Sequence, residues 1–160
     1  MKFKKAIALL GAIAVSASLV GCGNKADYNS YKEEVKNLYN NIVSADAVIN
    51  SIDVDSPNSK EEFFNSISKL KTALGEFKEI DAPKEFDDCE YLSGEAYKYL
   101  ETAEENFHAA LDGEYDDAKF QTAVNNYNTM VKCVNYMGDV LQNKDTPDEI
   151  ELNQELLSDE

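Results

Sequence analysis

Three cysteines, one histidine and a surplus of carboxylates are the side chains with chemistry to offer in this 160-residue chain. Cys89 and Cys133 remain as an even pair once Cys22 is set aside, and an oxidising compartment favours a disulfide between such a pair. The helical reading below puts them on neighbouring antiparallel helices joined by a hairpin at Gly113. Positions summing to about 226 then lie level, so Cys89 faces residue 137 and misses Cys133 by about four residues, roughly 6 Å of helical rise. A disulfide is still the expectation for an exported chain; the alternative is two packed thiols, since cysteine is a good small hydrophobe. A catalytic thiol is not indicated, because His108 lies about five helical turns from Cys89.

Glu105-Asn-Phe-His108 has the Glu-x-x-His spacing of di-iron helical bundles, but the chain has a single histidine, so a solvated Glu–His pair is the better reading. Asp53-Val-Asp55 opens like a calcium loop, yet Asn58 and Phe64 stand where its glycine and last glutamate belong. A glycine-rich phosphate loop and a Ser–His–Asp constellation are both missing. Asp87, Asp88, Glu104, Glu105, Asp116 and Asp117 read as the wet face of helices, not as paired catalytic carboxylates. The expectation is therefore no enzyme, no metal and no cofactor. Of nine tyrosines, Tyr39, Tyr91, Tyr97 and Tyr99 fall beside the apolar stripes, where an amphipathic ring serves a core edge or an interface. They are the candidate interface residues.

Charge narrows the partners. The chain has 31 acids, 15 lysines and no arginine. Residues 1–21 hold Lys2, Lys4 and Lys5 and no acid, so the remainder sets 31 acids against 12 lysines, a side-chain net charge of −19. Nucleic acid is excluded as a partner, since phosphate binding needs clustered lysine or arginine to displace counterions. Adhesion to anionic lipid by a basic surface is excluded for the same reason.

The N-terminus carries an address. A lysine-rich start is followed by an uncharged run from Ala6 to Val20, too short for a membrane span of about 20 residues. It reads as a secretory signal peptide. Its exit, Leu19-Val20-Gly21-Cys22, resembles the lipobox of a bacterial lipoprotein precursor. The resemblance covers the first 22 residues only. It implies cleavage before Cys22, a diacylglyceryl group on its sulfur and acyl chains of the palmitate class. The mature protein would be anchored in the cell membrane, outside the cytoplasm, with residues 22–27 as lipidated terminus and short tether.

The elements that follow are legible from periodicity. Apolar residues recur at steps of three and four from Tyr28 through Tyr31, Val35, Leu38, Ile42, Ala45 and Ile49 to Ile52. Pro57 breaks this stripe, and Ser59 with Glu62 has capping-box spacing. A second stripe runs Phe63, Ile67, Leu70, Leu74, Phe77, ending before Pro83. A third runs Phe86, Cys89, Ser93, Ala96, Leu100, Ala103, Phe107, Ala110, half of it small residues that let a neighbour approach closely. A fourth, from Glu114 or Tyr115, takes Phe120, Val124, Tyr127, Val131, Val134 and Leu141, with Gly138 as a weak point. Short loops between long helices predict an all-α, antiparallel up-down four-helix bundle over 28–142. Residues 143–160 form an acidic tail with a candidate short C-terminal helix.

Function is legible only in outline: a membrane-anchored acidic helical binding or accessory module of the cell envelope. Its partners are the membrane, through the lipid, and an envelope protein or polymer the sequence does not identify. The alternative is a carrier holding a small ligand or metal between helices, where Ser93, Ala96, Ala103 and Ala110 leave room. The lipobox resemblance is checked by mass spectrometry of membrane-extracted protein. The mass should correspond to a chain starting at Cys22 plus acyl groups, and Cys22→Ala should abolish the added mass. A chain starting elsewhere rejects lipidation.

Overall fold

The structure, a computed structural model, describes residues 26–53 and 55–142. The expected signal segment 1–21, the expected lipidation site Cys22 with tether residues 23–25, and the acidic tail 143–160 lie outside the described residues, whereas residues 26 and 27, expected in the tether, already belong to the first helix. Four helices follow in order: α1 (Ala26–Ser51), α2 (Ser59–Phe77), α3 (Asp87–Leu111) and α4 (Asp117–Leu141), with a 3-10 turn at Lys84–Phe86 before α3. Among the described residues no strand occurs. The chain is an antiparallel four-helix bundle.

The apolar stripes account for the packing. Val35, Ile49, Phe63, Ile67, Leu74, Leu100, Phe107 and Phe120 are fully buried, one side chain set against the next around a common core. Each such burial contributes about 1.5–3 kcal/mol. Contacts across the seams show the antiparallel register. Tyr31 meets Phe77 at 5.7 Å between α1 and α2, Phe63 meets Phe107 edge-on at 4.9 Å between α2 and α3, and Phe107 meets Phe120 at 5.2 Å between α3 and α4.

Between the helices, the breaks are local chemistry. The Asp53 carboxylate accepts from the Asp55 N–H at 3.0 Å, a side chain imitating a turn. Asn58, not Ser59, precedes α2 as its cap residue, and its carbonyl accepts from the Glu62 N–H at 2.9 Å; Ser59 is instead the buried first residue of the helix. Pro83 is extended, and Phe86 N–H closes the 3-10 turn on its carbonyl at 2.7 Å. α4 starts two or three residues later than periodicity suggests, because Asp116 caps it by accepting from the Lys119 N–H at 3.1 Å.

The four seams differ in width. α3 lies closest to α4, with Ala96, Ala103 and Ala110 fully buried and presenting little bulk between the backbones. α4 is correspondingly covered over a wide face: Ala123, Met130, Met137 and Val140 are buried beside the expected stripe, whereas Val131 is only half-buried. The α1–α4 seam is the loosest and is bridged by long side chains. There Tyr39 donates to the Val134 carbonyl at 2.6 Å and lies 3.2 Å from that of Asn135. Gly138 makes this contact sterically feasible. A Cβ on it would fall directly on the Tyr39 hydroxyl and 3.1 Å from the ring carbon that bears it.

Gly138 is thus a notch for Tyr39 and not a weak point. An alanine there would gain about 1 kcal/mol of helix propensity in isolation, but overpacking costs about 1–3 kcal/mol and the hydrogen bond about 1 kcal/mol more. Gly138→Ala should destabilise by about 1–3 kcal/mol in denaturant unfolding, and Tyr39→Phe by about 1 kcal/mol. The double variant should lose clearly less than the two combined, since a phenylalanine ring lacks the oxygen that the added methyl group strikes. Strict additivity would reject the notch.

Candidate binding cleft

α1 begins, α2 ends, α3 begins and α4 ends at one end of the bundle, the end at which the described residues begin. A cleft of about 450 Å³ opens there between the first turns of α1 and the α2–α3 loop. Tyr28, Ser30, Tyr31 and Glu34 form the α1 wall; Ile80, Asp81, Ala82, Pro83 and Glu85 form the loop wall. The loop stands where it does because Phe86, fully buried, is held under α1 by Tyr28 at 4.7 Å and Tyr31 at 5.8 Å. The Ile80 N–H meanwhile stays on the Phe77 carbonyl at 3.0 Å. The Pro83 ring holds the backbone extended at the entry to the 3-10 turn.

The lining combines aromatic and aliphatic surface with three carboxylates, Glu34, Asp81 and Glu85, and no basic side chain. Lys32, nearby on α1, lies over the Tyr28 ring at 4.3 Å. Tyr31 is 3 % exposed, and its hydroxyl has no oxygen or nitrogen partner; the polar atom beside it is the Cys89 sulfur. Burial pushes its phenol well above the ordinary tyrosine range. Sequence reasoning missed this cleft. Tyr28 and Tyr31 were legible as stripe residues and Pro83 as a break, but only the tertiary register brings them face to face.

The expected interface tyrosines divide. Tyr39 is not an interface residue: it is 5 % exposed and bonded to α4, and burial raises its pKa. It lies beside the α1 stripe because it serves the α1–α4 seam. Tyr97 is half-buried in the α2–α3 seam, its ring edge 3.3 Å from where a Cβ on Gly75 would be, with Lys78 4.4 Å from its centroid. Tyr91 and Tyr99 are half-buried and packed against the core from its edge. None of these three lines the cleft.

The expected disulfide is not formed. Cys89 and Cys133 are free, fully buried thiols. Cys89 donates to the Met137 carbonyl at 3.7 Å, so residue 137 is its level partner and Cys133 lies a turn away. Burial pushes both thiols up to about 12.

Away from the cleft the polar groups hold one another. His108 pairs with Asp112 at 2.8 Å, not with Glu105, and stacks on Phe64 at 3.8 Å. Lys60 meets Asp112 at 2.7 Å and donates to the Leu111 carbonyl at 2.8 Å, tying the start of α2 to the end of α3. Lys60 and then His108 hold the Asp112 carboxyl below its usual range. Lys71 bridges Glu104 at 2.8 Å and Glu101 at 3.2 Å, and its hydrogen bond to Glu104 leads the causes that push it up to about 12. Among the described residues no three His, Cys, Asp or Glu side chains converge as a metal site would require.

Compared with known protein families, characterised proteins and solved structures, the chain matches none. Its function must be argued from its own chemistry.

The thiols give a direct test. Denatured without reductant, the protein should titrate two free thiols besides any at Cys22, and in the native state neither should react at pH 8. Because folding raises both pKa values from about 9 to about 12, the folded state keeps protons that the unfolded state loses. Their contribution to stability should be fully present below pH 9 and be lost as pH rises towards about 12. Native reactivity at pH 8, or zero free thiols on denaturation, would reject the packed-thiol arrangement.

Proposed function

We propose that the chain is a membrane-anchored, acidic helical binding module of the cell envelope, and that its working site is the cleft at the tether end. The observation that carries this reading is the cleft itself. At about 450 Å³ it falls in the range of small-ligand sites, and it offers both apolar surface and a few charged groups. A lipid on Cys22 would hold that end close to the bilayer, since α1 begins at Ala26. The acidic surface would keep the bundle off anionic headgroups.

Catalysis is not part of the reading. The thiols are buried and held protonated, and the one histidine is stacked on Phe64 and paired with Asp112. The carrier reading finds support in the volume of the cleft, not in space between the helices. Ser93, Ala96, Ala103 and Ala110 are buried in the close α3–α4 packing.

Photo-crosslinking in intact cells tests the site. A photoreactive residue at Glu34 or Asp81 should give a discrete adduct with an envelope component. The same residue at Glu105 or Glu114, exposed at the opposite end, should not. Adducts of equal yield from both ends would mean that the cleft is not the working surface.

A further inference from the structure

We infer that the tether-end cleft takes a linear organic polycation, a polyamine whose ammonium groups are separated by methylene stems. This deepens the binding-module reading and rests on it. Three properties of the lining lead there.

The first is sign. Glu34, Asp81 and Glu85 line the cleft with no base among them, so an anion would be repelled and a cation drawn in. The second is distribution. A bare divalent ion needs carboxylates that converge on one point, and among the described residues no such group of three exists. The carboxylates are divided between α1 and the loop, with Tyr28, Tyr31, Ile80, Ala82 and Pro83 completing the lining. Charge spread around an apolar centre complements a molecule with charges spread along an apolar stem. The third is the affinity of the cleft's tyrosines for ammonium: Lys32, beside the cleft, already lies over the Tyr28 ring at 4.3 Å from its centroid. A neutral sugar would ask for an array of paired donors and acceptors. Apart from the carboxylates, the polar side-chain groups of the lining are the Ser30 hydroxyl and the two phenols.

Size agrees with the chemistry. About 450 Å³ admits a small flexible molecule and no folded partner. Binding would use charge-assisted hydrogen bonds from ammonium to carboxylate, each stronger than a neutral pair.

The test must separate this site from the acidic surface at large, which attracts any polycation. Full-length protein in non-ionic detergent is titrated with spermidine calorimetrically at about 0.15 M salt, where exposed charges are largely screened. One saturable site is expected. Glu34→Gln with Asp81→Asn should weaken it about tenfold or more. Glu105→Gln with Glu114→Gln, the same charge change at the far end, should leave affinity within about twofold. Equal losses in the two variants, or no saturable binding, would overturn the proposal. A parallel arm adds an aminophospholipid to the micelles. Competition by that lipid in place of any response to spermidine would assign the ammonium to a headgroup and also overturn it. Cleft-specific crosslinks in cells, without spermidine binding, would leave the binding module standing and remove only its polyamine ligand.

Discussion

The hydrogen bond from Tyr39 to the Val134 carbonyl, made through the notch at Gly138, closes the bundle. Three of the four seams join helices adjacent in sequence, whose short connections already oblige them to be neighbours. The α1–α4 seam has no such help, and its backbones approach closely at the fewest places of the four. A phenol reaching across it fixes α1 in both rotation and height. Everything towards the start of α1 depends on that setting: Tyr31 reaches Phe77 and Phe86, Tyr28 covers Phe86, and the α1 wall of the cleft faces the Ile80–Glu85 loop.

Close packing on one side and wide packing on the other are two consequences of where bulk is placed. Alanines on α3 let α4 approach, and that approach leaves Cys89 and Cys133 sealed between backbones without the level alignment a disulfide needs. On the α1 side, Tyr39 and Tyr127 span the gap instead. Tyr127 is almost wholly buried near Asp46, and its hydroxyl lacks a hydrogen-bond partner, a cost of about 1–3 kcal/mol that the surrounding apolar contacts must offset. The bundle therefore joins a tight helical hairpin to a looser pair.

The stripes, the breaks and the antiparallel order were all legible in the sequence, because 3.6-residue periodicity and proline placement report directly on helices. Even the level of Cys89 with residue 137 was legible, and it weighed against the disulfide that the expected compartment suggested. What failed has one cause: a single helix does not say how its neighbour is rotated. Gly138 looked like a defect until Tyr39 was found occupying its missing side chain. Val131 looked central, yet Met130 and Met137 took the core because α3 covers that side of α4. The cleft was invisible for the same reason. Its two walls are about 50 residues apart in sequence and neither is distinctive alone.

Charge links the fold to the proposed ligand. Lys36, Lys60, Lys71 and Lys98 are held in ion pairs, and Lys32 and Lys78 lie over tyrosine rings, so much of the short supply of cations is engaged at helix surfaces and seams. The acids outnumber them, and the cleft between α1 and the α2–α3 loop is lined by carboxylates and no lysine. Field lines from carboxylates around a low-dielectric cleft are focused into it, whereas those on a convex helix face disperse into solvent. A chain can carry a strongly acidic surface for solubility alone. An acidic concavity floored by tyrosine, aliphatic side chains and proline has a narrower use, because it favours a cation with carbon to bury over a hydrated ion with none.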